Sequence, residues 1–272
     1  MADKRAIGVF DSGLGGLTVV KEMINTMPCE DIIYFGDTGR VPYGGRSVET
    51  IKKYALQDEK FLLSHNVKMI VAACGTVSSV ASDTALQLPV PFFEVVSHAS
   101  KQAVKTSKNG KIAVIGTNAT VKSEQHKNTI LKLNPNSQVI SCACPLFVPL
   151  VEEGWYSPDD VIVLETVKKY LKPVIDFGAD TLILGCTHYP VLSGAISKVL
   201  GDSVKLINAG TATANAVADY LKENDLQTDN TQAGKHSFFV SDKPDFFKNQ
   251  AQVLLDREID ESKVLEVDIN NL

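Results

Sequence analysis

Lys68-Met-Ile-Val-Ala-Ala-Cys-Gly-Thr76 and Asp180-Thr-Leu-Ile-Leu-Gly-Cys-Thr-His188 carry the same message twice. Each is a short, nearly continuous apolar run that ends in a small residue, then a cysteine, then hydroxyl or imidazole groups. An apolar run without alternation reads as a parallel strand covered on both faces. In open α/β sheets ligands bind at the carboxyl ends of strands. Cys74 and Cys186, 112 residues apart (186 − 74), therefore each stand where a small ligand would be held. Two such thiols, one from each half of a duplicated chain, can face each other across one carbon. A reaction that removes a proton from one face of a carbon and returns one to the other needs that arrangement.

Working outward, further apolar runs at Ala6–Phe10, Ile32–Phe35 and Val90–Val95 alternate with helical patterns at Gly16–Thr26, Ser47–His65 and Val77–Gln87. Strands alternating with helices imply βαβ units and a parallel sheet. The pattern then restarts. Strands are expected at Lys111–Ile115, Gln138–Ala143, Thr181–Leu184 and Val204–Asn208, with helices at Lys122–Asn134, Asp159–Gly178 and Val191–Leu200. Ile7-Gly-Val-Phe-Asp-Ser-Gly and Ile112-Ala-Val-Ile-Gly-Thr-Asn match in form, 105 residues apart (112 − 7), close to the cysteine offset. The fold class is α/β, with two similar domains, each a mainly parallel sheet flanked by helices, and a site in the cleft between them. The polar Lys101–Lys111 stretch marks the boundary. The domains are expected at 1–99 together with 210–272, and at 100–209. The tail from Gly210 on holds a helix at Ala212–Asn224, a strand at His236–Val240 and a terminal helix, long enough to return to the first half.

The 272 residues, 44% hydrophobic and 22% charged, are those of a globular protein with a core large enough to need no disulfides. A net charge of −5 gives no basic footprint for nucleic acid. No apolar run approaches the roughly 18 residues of a membrane span, and no signal region precedes the first strand. A cytoplasmic location is expected. Five cysteines, an odd number, argue against a disulfide framework. Cys142 and Cys144 share one strand face, and no second pair completes a zinc site, so no metal is expected.

Asp11-Ser12-Gly13-Leu14-Gly15-Gly16 follows the first strand. The G-x-G-x-x-G spacing is not met and no P-loop lysine is present. An aspartate at the strand end repels a phosphate but suits an ammonium group, while Ser12 and the backbone amides suit a carboxylate. An amino acid satisfies both. The loop Asp37–Arg46 follows the second strand and is rich in glycine, proline and polar groups. Its Tyr43 can offer a hydroxyl and Gly44 an amide, whereas Arg40 and Arg46 read as surface charges. Cys74 lies near a helix N-terminus, which lowers a thiol pKa. His188 is placed to hold a charge near Cys186. Glu152 and Glu153 end an apolar, proline-limited stretch where a carboxylate can support a proton donor.

These segments, from Phe10-Asp-Ser-Gly-Leu-Gly-Gly16 to Gly185-Cys-Thr-His-Tyr-Pro190, resemble the glutamate racemases of the cofactor-independent aspartate/glutamate racemase superfamily. The resemblance spans the chain. It implies two α/β domains with the site between them, no cofactor, a homodimer, and interconversion of L- and D-glutamate to supply D-glutamate for peptidoglycan. It also implies that Cys74 exchanges the α-proton with D-glutamate and Cys186 with L-glutamate. Asp11 and His188 would assist the two thiols, and Asp37 and Glu152 would be further acids. Ser12, Pro42, Tyr43, Gly44, Gly75, Thr76, Thr117, Thr120 and Thr187, with Asp11 and His188, would bind the substrate. One departure stands out: the family has Cys-Asn-Thr where this chain has Cys74-Gly75-Thr76. A lost hydrogen bond to a charged group costs roughly 1.5–3 kcal/mol, so a weakened activity is expected. Aspartate or another acidic amino acid is an alternative substrate, and a non-catalytic amino-acid-binding protein is an alternative of a different class.

Overall fold

The computed structural model describes residues 2–269. Its first sheet is built from β1 (Ile7–Asp11), β2 (Ile32–Gly36), β3 (Met69–Ala72) and β4 (Phe92–Glu94), extended by β9 (His236–Val240) and β10 (Val264–Glu266). The second is built from β5 (Lys111–Gly116), β6 (Gln138–Ala143), β7 (Thr181–Leu184) and β8 (Lys205–Asn208). Every strand pair is parallel. The orders are β10-β9-β2-β1-β3-β4 and β6-β5-β7-β8. The duplication is thus structural. Strands β2-β1-β3-β4 correspond one for one to β6-β5-β7-β8, with β1 equivalent to β5 and β3 to β7. The cysteine-bearing ends of β3 and β7 are equivalent positions.

The apolar runs become buried strands for the expected reason. Every residue of β1, β3 and β7 is buried, because helices cover both faces. In each sheet the chain runs outward from the central strand on one side, then on the other. The strand order therefore reverses between β1 and β3 and between β5 and β7, where side loops splay apart and leave a crevice. Both cysteines sit at these reversal points.

The helices are α1 (Leu17–Thr26), α2 (Val48–Ser64), α3 (Gly75–Val80), α4 (Val95–Thr106), α5 (Asn118–Ser123), α6 (Gln125–Leu133), α7 (Phe147–Glu152), α8 (Val161–Phe177), α9 (Ser193–Leu200), α10 (Ala209–Glu223) and α11 (Pro244–Leu255). Several begin at a side-chain cap. Ser47 accepts from the Thr50 amide, Asp160 from Ile162 and Val163, and Asn208 from Gly210. Gly178 ends α8 at φ +72°, a conformation glycine adopts without cost.

Four local readings change. The Lys101–Lys111 stretch is not a linker throughout: α4 runs to Thr106, capped by Glu94, with Val95, Val96, Ala99, Ser100 and Ala103 buried along one face. The polar lysines and serines there are the outer face of an amphipathic helix. The Val77–Gln87 pattern divides into α3 and a 3-10 turn at Ser82–Gln87. The Lys122–Asn134 pattern divides into α5 and α6, with Glu124 between them at φ +52°. A strand, β10, follows the terminal helix. The two chain crossings between the sheets are α4 and α10, and these helices pack on each other. Among the described residues no helix is long and apolar enough to cross a membrane.

Candidate active site at the seam of the two sheets

The first half contributes two strand ends. Asp11 closes β1, almost wholly buried, and its Oδ2 accepts from the Gly13 amide at 3.0 Å. Its Oδ1 has no hydrogen-bond partner. Burial raises the Asp11 pKa, and the positive charge of His188 and nearby backbone N–H groups offset part of that rise. Cys74 stands two residues beyond β3 at the N-cap of α3, and its Sγ donates to Ser12 Oγ at 3.5 Å. The expected lowering of its pKa by the helix terminus is outweighed. Burial, reinforced by the Asp11 charge, pushes the thiol up to about 12 against the hydrogen bonds with Ser12 and the Val77 amide.

The second half contributes the equivalent end. Cys186 is partly buried, with its Sγ 3.9 Å from His188 Nδ1. His188 Nε2 lies 3.2 Å from Glu152 Oε1 at the end of α7. Burial works to lower the His188 pKa, but the Cys186 sulfur and the Glu152 carboxylate outweigh it and raise the value to about 10. His188 is then an imidazolium at neutral pH, donating to a sulfur on one side and a carboxylate on the other. Glu153, beside Glu152, is exposed.

The halves meet in a defined seam. Thr76 Oγ1 and Thr117 Oγ1 are 3.1 Å apart, and Thr117 Oγ1 is 3.1 Å from Thr120 Oγ1. Thr117 also caps α5 through the Thr120 amide. Thr18 Oγ1 donates to the Thr187 carbonyl at 2.8 Å, tying α1 to the Cys186 loop. Gly15 presses against that loop: a Cβ there would lie 2.3 Å from Thr187 Oγ1 and 2.5 Å from His188 Nδ1. At Gly16 a Cβ would lie 2.5 Å from Asp11 Cβ. These glycines serve close protein packing, and the loop is filled by side chains where a phosphate cradle would be open. At Gly44 a Cβ would come within 3.1 Å of Thr117, so the loop after β2 also reaches the seam.

The seam therefore brings together Asp11, Ser12, Cys74, Thr76, Thr117, Thr120, Cys186, Thr187, His188 and Glu152. One sequence reading in the loop after β2 is corrected, that of Arg40, and the expected acid Asp37 and the hydroxyl of Tyr43 are engaged within the protein. Asp37 is held by its neighbours. Its Oδ1 accepts from Ser241 Oγ at 2.7 Å, and its Oδ2 accepts from Tyr43 and from Arg40. Tyr43 donates its hydroxyl to Asp37, with Asp58 Oδ2 at 3.2 Å. Arg40 is not a surface charge. It bridges Asp37 and Asp58, both fully buried, with 3.0 Å to Asp58 Oδ1. Pro42 is exposed and precedes the turn Tyr43–Gly45, and Arg46 is exposed as expected. Sequence reading missed Thr18, Asp58 and Ser241. Thr18 left a signal, a hydroxyl in an otherwise apolar first helical turn. Ser241 left none, because it reaches Asp37 only through the pairing of β9 with β2.

The family described as Asp/Glu/Hydantoin racemase matches residues 20–217. A glutamate racemase of Geobacter metallireducens is 44% identical over 241 residues, covering 88% of this chain and 88% of that protein. The structure of a glutamate racemase from Francisella tularensis in complex with D-glutamate is 38% identical, covers 99% of this chain and 100% of its own, and gives a TM-score of 0.91. The structure of a glutamate racemase from Thermus thermophilus in complex with beta-chloro-D-alanine is 39% identical, with full coverage of both chains (100% each) and a TM-score of 0.89.

Proposed function

The chain belongs to the Asp/Glu/hydantoin racemase family, and on that premise we propose that it is a glutamate racemase working by proton exchange between two thiols without a cofactor. The observation that carries this reading is the seam itself. Equivalent strand ends of two duplicated sheets present Cys74 with Asp11 and Ser12 on one side and Cys186 with His188 and Glu152 on the other.

An amino acid fits the polar groups between them. The buried, unpartnered Oδ1 of Asp11 suits the α-ammonium, and the hydroxyls of Ser12, Thr76 and Thr117 suit carboxylate oxygens. Empty, Cys74 is a thiol. The arriving ammonium places a positive charge beside it, which favours the thiolate, and the displaced thiol proton leaves to solvent as the substrate binds. In one direction the Cys74 thiolate takes the α-proton of D-glutamate. An S–H bond forms, the C–H bond breaks, and its electron pair delocalises into the α-carboxylate. Cys186 then donates its thiol proton to the opposite face and is left as the thiolate. In the other direction the roles exchange. One proton enters and one leaves, so charge balances. The carbanion is stabilised by donors already in place within a largely buried site.

The domain division, 1–99 with 210–272 against 100–209, makes α4 and the start of α10 the connections between the two halves. The same reading carries a cytoplasmic homodimer that supplies D-glutamate for peptidoglycan. Growth of a D-glutamate auxotroph on expression of the protein tests the role, and sedimentation tests the dimer. The chemistry is tested in D2O: the product enantiomer of glutamate should carry one solvent deuterium at the α-carbon, and aspartate should turn over far more slowly. Inversion without deuterium, or preferred turnover of aspartate, would overturn the proposal.

A further inference from the structure

At Gly75 the two halves touch backbone to backbone. A Cβ built there would lie 2.3 Å from the carbonyl oxygen of Gly185, 3.3 Å from its carbonyl carbon and 3.7 Å from Cα of Cys186. All three atoms belong to the opposite half. Gly185 has nowhere to retreat. Its amide donates to the Ile115 carbonyl at 2.8 Å. A Cβ on Gly185 itself would lie 2.7 Å from that carbonyl oxygen and 3.3 Å from His126 Nε2. His126 is buried and held by Ser100 Oγ at 3.0 Å. The Gly185 carbonyl is therefore a fixed stop, and any side chain at 75 must be accommodated by separating the halves. Normal carbon contact distances of about 3.5 Å require an opening of roughly 1 Å.

Gly75 directly follows Cys74, and Gly185 directly precedes Cys186. We propose that Gly75 is a positioning residue: its missing side chain lets the Gly185 carbonyl seat against the first residue of α3, and this contact sets the spacing of the two thiols across the substrate. The inference rests on the racemase reading above. It reverses the expectation drawn from the family's Cys-Asn-Thr pattern, in which an asparagine at 75 would restore a lost hydrogen bond. In this chain the asparagine would act as a wedge.

The test compares the wild type with Gly75→Ala and Gly75→Asn in three measurements: inversion of L- and D-glutamate, deuterium uptake in D2O into the starting enantiomer, and thermal melting. A misplacement of about 1 Å costs on the order of 100-fold in rate, and kcat of both variants should fall by about that factor, with a smaller change in KM. The ratio of deuterium uptake without inversion to inversion should rise. With the opposite thiol out of reach, the carbanion is reprotonated by the thiol that formed it, after that thiol has exchanged with solvent. Melting should stay within a few degrees, because the added atoms meet only the seam. Inversion by either variant within twofold of the wild type would overturn the inference. So would a loss in which the ratio of uptake to inversion does not move, or a variant that does not fold, since the contact would then serve the fold and not the spacing. A wild type that inverts nothing would instead overturn the racemase reading.

Discussion

At Cys74 burial and a helix N-terminus act in opposite directions, and burial wins, leaving the thiol at about 12. His188 shows the reverse balance. There the Cys186 sulfur and Glu152 outweigh burial and hold a proton on the ring up to about pH 10. The free energy of L- and D-glutamate is the same, so kcat/KM must be equal in the two directions at every pH. The profile is a property of the shared site and not of one thiol. It should fall as pH rises through about 10, where His188 loses its proton. Removing one of the two groups that raise His188 should bring that fall to lower pH. In Glu152→Gln the alkaline limb is expected to shift down, read from initial rates between pH 7 and 11, and a limb that stays in place would contradict the role given to Glu152. Replacing either thiol should be more severe. A serine hydroxyl is a far weaker acid, so Cys74→Ser and Cys186→Ser should each abolish inversion. Near-wild-type inversion by either would sink the two-thiol scheme.

At the scale of elements, the loop after β2 shows where the sequence misleads. Arg40 in a Gly- and Pro-rich loop reads as solvated, yet it bridges Asp37 and Asp58, both without exposed side-chain surface. Removing one partner of a buried ionic group leaves charge uncompensated and costs about 3–5 kcal/mol. Arg40→Met is expected to lose that much stability in urea unfolding, and a loss below about 1 kcal/mol would show that the network is not what anchors the loop. The strands β3 and β7 were legible because continuous apolar runs mean burial on both faces. The cysteines after them were legible because a strand end in a parallel sheet is where ligands bind. Asp37 was not, because its fate depends on Asp58 from α2 and Ser241 after β9, partners brought by tertiary contacts that leave no mark on local pattern. Helix α4 was missed because its buried residues are alanine, serine and two valines, too small to stand out among the lysines.

At the scale of the whole molecule, duplication does the positioning. Two sheets with the strand orders β2-β1-β3-β4 and β6-β5-β7-β8 each raise a cysteine at the point where strand order reverses. Facing the sheets across one seam brings the two cysteine-bearing strand ends together, as the proposed exchange requires. The offset of the cysteines was visible in the sequence. The closeness of the seam was not, because it depends on contacts such as Thr18 with Thr187 and Gly75 with Gly185. The central claim is that this seam inverts glutamate with no helper beyond its own side chains. The most direct measurement is the circular dichroism of L-glutamate incubated with the purified, reduced protein and no added cofactor. The account predicts decay of the signal to zero as the racemate forms, and a flat trace from folded protein would contradict it.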